Sequence, residues 1–144
     1  MKKTFLLLAF ILCFFAYKSV YAQAEQIPNA EKHPIEIQQE KCMKKDYSTA
    51  GMNKCAYEAT EAWIKQISVY AEMIKKEISA EQLPLFSKTQ RDWQKYYNNE
   101  KKLIAKTIYS KDGTIHTNIA AGMIQNIAKE RALYLKSYLF ELKD

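Results

Sequence analysis

Two cysteines, Cys42 and Cys55, stand symmetrically about the pair Ser48-Thr49. Ser and Thr at such a point read as a turn and a helix N-cap, because their hydroxyls accept from free amide N–H groups. A helix ending near Asp46 and another beginning near Ala50 place the cysteines about equally far from the turn. On antiparallel helices those positions can face each other. The stretch therefore predicts a helical hairpin closed by a disulfide, with the rest of the chain as further helix packed on it.

Few residues interrupt helix: Gly and Pro number 3 each in 144 residues. Lys, Glu, Gln, Ala, Ile and Leu dominate, as in all-helical proteins. No period-two apolar run bounded by turn residues is present, so no strand is predicted. The expected fold is all-α, a small bundle of about four helices in one domain.

The first 22 residues read as a signal peptide. Lys2 and Lys3 precede an apolar run from Phe5 to Ala16, and Val20-Tyr21-Ala22 supplies small residues before a cut at Gln23. The run is about 12 residues, short of the roughly 20 that a retained membrane span needs. Cys13 follows Leu12, not the small residue of a lipidation site. Export leaves Cys42 and Cys55 as the cysteines of the mature chain and favours their pairing. Their spacing, with no His cluster beside it, argues against redox or zinc chemistry.

Export also changes the charge. The chain carries 22 basic and 16 acidic residues, net +6. Lys2, Lys3 and Lys18 leave with the signal peptide, so the mature chain has 19 − 16 = +3. That is too mild for the footprint of a nucleic-acid binder. The expected location is periplasmic or secreted, with no stable membrane anchor after cleavage.

Residues 23–33 are expected as a flexible lead-in and 34–144 as the helical domain. Helix is predicted from Pro34 to Lys45 with Ile35, Gln38 or Gln39, and Cys42 on one face. A second helix runs on to about Ser79. Its seam is Met52, Ala56, Ala59, Trp63, Ile67, Tyr70, Ile74 and Ile78, at alternating spacings of three and four. Core packing is the simpler reading of Trp63 than sugar stacking.

Ser79-Ala-Glu-Gln82 and Ser87-Lys-Thr-Gln90 both fit a capping box, and Pro84 disfavours helix at Leu83. A third helix is expected from Pro84 to Tyr109, with the seam Phe86, Gln90, Trp93, Tyr97 or Tyr96, Glu100, Ile104 and Ile108. Asp112-Gly113 marks a turn. The fourth helix, about Asn118 to Leu142, shows a core face of Ile119, Met123, Ile127, Tyr134, Tyr138 and Leu142. Ala120, Ile124, Ala128, Leu135 and Leu139 flank it. Leu133 and Phe140 fall off this stripe, as part of a wide core face or as a second contact surface.

Catalytic signals are sparse. His33 and His116 have no Cys, Ser or Asp constellation around them. Glu61, Glu72 and Glu100 are isolated acids, whereas glycosidase chemistry needs a placed carboxylate pair. No catalytic residue, cofactor site or metal site is predicted, and the chain reads as a non-enzyme.

Cys42, then Ser48-Thr49-x-x-Met52-x-x-Cys55, then Gln90-x-x-Trp93-x-x-Tyr96 resembles the lysozyme inhibitor LprI-like N-terminal domain family. The resemblance covers about Cys42 to Lys102. It implies an exported, helical, cysteine-bridged bacterial domain that binds lysozyme and blocks peptidoglycan hydrolysis. The matched residues Thr49, Met52, Gln90, Trp93 and Tyr96 look structural. The chain departs from the pattern at Trp63, Gln66 and Ile67, where Asp, Leu and Asn are usual. Tyr97 and Asn98 stand for Arg and Asp, and no later cysteine follows.

Two functions are in view. The first is an exported binding protein that inhibits a lysozyme-type hydrolase, with Tyr47 at the hairpin turn as the candidate partner contact. The second is an envelope interaction or structural protein with a different protein partner. A basic lysozyme would gain on-rate from an acidic inhibitor face, and the mature chain is net basic.

Overall fold

A proline opens the first helix of the computed structural model, which describes residues 32–143. The predicted signal peptide and most of the lead-in lie outside the described residues. Helix α1 is Pro34–Met43, and Pro34 occupies its first turn, where no amide donor is needed. His33, at the end of the expected lead-in, caps it. Its Nδ1 accepts from the Ile35 amide at 3.2 Å, and the Glu36 carboxylate accepts from the His33 amide at 3.1 Å.

Helix α2 is Thr49–Glu77, capped by Ser48, whose Oγ accepts from the Gly51 amide at 3.0 Å. Helix α3 is Leu83–Ile104 and continues as a π-helical turn, Ala105–Tyr109. Ser79 does begin half of a capping box: its amide donates to Gln82 Oε1 at 2.9 Å. Ser87 caps nothing, because the helix has already begun at Leu83. Gly113, at φ +94°, makes the turn into helix α4, Ile115–Glu141. Among the described residues there is no strand. The Cys42–Cys55 disulfide joins α1 to α2 with the two Cα atoms 5.8 Å apart.

Cross-helix contacts fix the directions. Asn53 Nδ2 donates to Thr117 Oγ1 at 2.7 Å, and Lys143 Nζ lies 3.8 Å from Glu77. The starts of α2 and α4 are therefore side by side, and so are their ends, so these two long helices run parallel. Gln39 and Gln125 exchange side-chain hydrogen bonds of 2.8 and 2.5 Å, and Lys129 Nζ donates to Glu36 at 2.5 Å. Helix α1 thus runs antiparallel to α4. Helix α3 carries the chain back from the end of α2 to the start of α4.

The core lies along the α2–α4 contact, the most extensive in the fold. Trp63, Ile67, Ala71 and Ile74 meet Ala128, Ala132, Leu135 and Leu139 there, with Phe86 and Tyr97 from α3. Trp63, Ile74 and Leu135 are fully buried, and each such side chain contributes about 1.5–3 kcal/mol.

Two expectations are corrected here. Helix α4 buries the stripe that was assigned to the flank. Of the flank, Ala120, Ala128, Leu135 and Leu139 are buried, joined by Ala121 and Ala132, whereas Ile119, Met123, Tyr134 and Tyr138 of the expected core face are exposed and its Ile127 and Leu142 pack at the core margin. Alanines let two long helices approach within the usual 8–10 Å, and tyrosines on that face would hold them apart. The second correction is Trp93, which was placed mid-seam. It is only half-buried and packs on the margin of the core. Leu133 also packs at that margin, and Phe140 is exposed.

Candidate functional site

The connection between α1 and α2 is short and held from both sides. The disulfide lies below it. Above, the Asp46 carboxylate accepts from the Ser48 amide at 2.9 Å. Bonding to Ser48, through its side chain and then its backbone, holds the Asp46 carboxyl below the usual range. The carboxylate comes so close to Gly51 that a Cβ there would overlap it. A negative charge at this point also suits the positive end of the α2 dipole. This Asp46–Ser48–Gly51 chain fixes the loop without using the remaining side chains.

Those remaining side chains point to solvent. Lys44, Lys45 and Tyr47 are exposed, Tyr47 at 71%. Neither lysine has a carboxylate within ion-pair distance among the described residues. The result is a stapled tip that presents one phenol and two exposed ammonium groups.

The motif residues are divided between the two ends of the bundle. Thr49 is the first residue of α2 and half-buried. Met52 is half-buried one turn on, and its Sδ receives the Asn118 side-chain amide at 3.8 Å. Both support the tip. Gln90, Trp93 and Tyr96 lie on α3 and are not brought to Tyr47. Gln90 is half-buried, and its Nε2 is buried without a hydrogen-bond partner. Trp93 stacks on Tyr97 at 5.3 Å. The choice between Tyr97 and Tyr96 falls to Tyr97: it is 5% exposed and Tyr96 is 51% exposed. Burial pushes the Tyr97 phenol above its ordinary value. Tyr96 is thus on the surface and not in the core.

One residue was not anticipated. Arg131 sits between Ala128 and Leu135 on the inner side of α4. Its guanidinium lies 5.8 Å over the Trp93 ring and 5.5 Å over the Tyr134 ring. Burial lowers its pKa from the ordinary value, with Tyr134 opposing. An arginine flanked by apolar residues at spacings of three and four was a legible signal for a half-buried cation. Of the acids considered, Glu72 is tied to Lys75 at 2.7 Å and Glu61 is exposed. Among the described residues no helix is long and apolar enough to cross a membrane.

Comparison with known proteins places this geometry. No curated protein matches the chain. A crystal structure of an uncharacterized protein from Burkholderia thailandensis shares the fold, with a TM-score of 0.73 and 23% identity. The match covers 78% of this chain and 56% of that one, so this chain spans little more than half of that protein. The sequence profile of the lysozyme inhibitor LprI family matches residues 41–135, from beside the disulfide to Leu135 on the α4 core stripe. With the bridged hairpin and the four-helix fold on which that match lies, the chain belongs to the lysozyme inhibitor LprI family.

Proposed function

We propose that this is an exported binding protein that blocks a lysozyme-type peptidoglycan hydrolase and catalyses no reaction itself. The observation that carries the reading is the stapled tip, with Tyr47 exposed beside Lys44 and Lys45, which have no ion-pair partner among the described residues. A glycosidase cleft holds two carboxylates about the scissile bond. A cationic tip is complementary to that cleft even when the hydrolase surface as a whole is basic. The net positive charge of the mature chain is then no obstacle, because the contact is local. Tyrosine is enriched among the residues that dominate binding energy, and a loop fixed in advance loses little entropy on docking. The family supplies the inhibitor class, and the tip supplies the contact.

The test is lysis of a cell-wall suspension followed by turbidity. The protein is expected to slow lysis in a dose-dependent way that saturates near one equivalent of hydrolase. Absence of inhibition with animal, phage and bacterial-effector lysozymes overturns the reading. An envelope protein with another protein partner is the second reading. The exposed Leu85, Tyr134 and Tyr138, at the end of the bundle away from the tip, favour it.

A further inference from the structure

The end of the bundle opposite the tip carries a groove between the start of α3 and the last turns of α4. It is a cavity of about 390 Å³. Leu85, Phe86 and Leu135 give it carbon walls, Tyr134 and Tyr138 form one rim, and Arg131 lies within it. The two tyrosine rings are parallel to within 4°, with centroids 6.4 Å apart. Leu85 is exposed at 68% and Tyr134 at 58%, so the walls continue outward as an open apolar surface.

Arg131 makes this groove selective. Its guanidinium lies over two aromatic rings, Trp93 and Tyr134. It has no carboxylate within ion-pair distance among the described residues. Its Nε is buried and lacks a hydrogen-bond partner. By contrast, Glu36 and Lys129, both half-buried, pair with each other. A buried donor left unmatched costs free energy, and a guanidinium presents a fork that fits a carboxylate through two parallel bonds. The carbon walls ask for something more than a bare anion, since an ion alone would leave them wet.

We propose that this groove is a docking site for an extended segment of a partner protein in which an acidic side chain stands next to a bulky aliphatic one. The carboxylate accepts from the Arg131 guanidinium, and the aliphatic side chain lies on Leu85, Phe86 and Leu135. Arginine and tyrosine are the residue types that dominate such contacts, and here they are held in place by stacking before a partner arrives. The site is separate from the tip and does not depend on the inhibitor reading.

The experiment is an NMR titration of the protein with the blocked peptide acetyl-Gly-Glu-Leu-Gly-amide, with its Gln counterpart, and with sodium acetate. The Glu peptide is expected to shift the Arg131 Nε–H and the Phe86 and Tyr134 ring signals. It should bind about tenfold or more tightly than the Gln peptide or acetate. Arg131→Lys keeps the charge but loses the fork, and should lose a similar factor. Tyr134→Ala removes an exposed ring, leaves the fold intact and should weaken binding several-fold, which keeps the test valid if the Arg131 variant folds poorly. Equal binding of the Glu and Gln peptides, acetate binding as well as the peptide, or shifts confined to surface lysines would overturn the proposal.

Discussion

The His33 imidazole lies against the Trp63 indole, with ring centroids 4.5 Å apart. One contact thereby ties the cap of α1 to the centre of the core. His33 must be neutral at Nδ1 to accept from the Ile35 amide. Burial is the main reason its pKa falls below the ordinary value near 6.5, and Lys136 is the next; Lys129 adds to the shift and Glu36 opposes it. A group held low in the folded state stabilises the fold above its unfolded value, and that stability is lost as pH falls through the folded value. Glu36 has the same sign from its ordinary 4.5, chiefly through its bond to Lys129. Urea midpoints should therefore hold above pH 7, fall as pH drops below 6.5 and fall again below 4.5. His33→Asn, which keeps a cap, should remove the first step only. A wild-type midpoint unchanged between pH 7 and 5 would contradict this account of α1.

The two tryptophans should respond differently to truncation. Trp63 is fully buried, so Trp63→Ala should cost about 3–5 kcal/mol. Trp93 is half-buried and stacked on Tyr97, and its loss should cost about half as much or less. Chemical denaturation of the two variants measures the gap. Equal costs would argue that Trp93 is a core residue after all.

The alanine stripe of α4 offers a test of the helix rotation. Ala132 is fully buried against α2, so Ala132→Leu should destabilise by about 1–3 kcal/mol through overpacking. Tyr134→Ala, on the exposed face, loses its contact with Arg131 and should change stability by about 1 kcal/mol or less. Thermal melts that ranked the two variants in the reverse order would restore the tyrosine-bearing face to the core.

Replacing both Cys42 and Cys55 by Ser removes a cross-link between residues 13 apart. Chain entropy puts the loss at about 3 kcal/mol. Inhibition should weaken as well, because the tip would then have to be ordered on binding. A double variant that melts with the wild type would remove the staple from the account.

The hairpin was legible because its signals are local: two cysteines, a capping serine between them and a seam at alternating spacing that runs through Trp63. The rotation of α4 was not legible for a physical reason. That helix is apolar on most sides, so periodicity admits two stripes, and the narrower alanine stripe wins only because a parallel partner, α2, comes close to it. Trp93 was misjudged for a related reason. A seam on α3 records which residues are apolar, whereas burial depends on how far α3 wraps toward α4. The π-helical turn at Ala105–Tyr109 has no clear sequence signal, although the Thr107 hydroxyl in it donates to the Leu103 carbonyl of α3 at 2.8 Å. Tyr47 stood out only through its place between the cysteines, and its exposure became visible once Asp46 and Ser48 were seen to satisfy the loop.

The central claim is that the stapled tip is the inhibitory contact. Tyr47→Ala measured in the lysis assay, beside circular dichroism of the same sample, tests it most directly. Tyr47 is 71% exposed, so helical content should be unchanged, while truncation of the proposed contact residue should raise the half-inhibitory concentration by about tenfold or more. Full inhibition by the Tyr47→Ala protein at the wild-type concentration would contradict the claim and move the contact away from the tip.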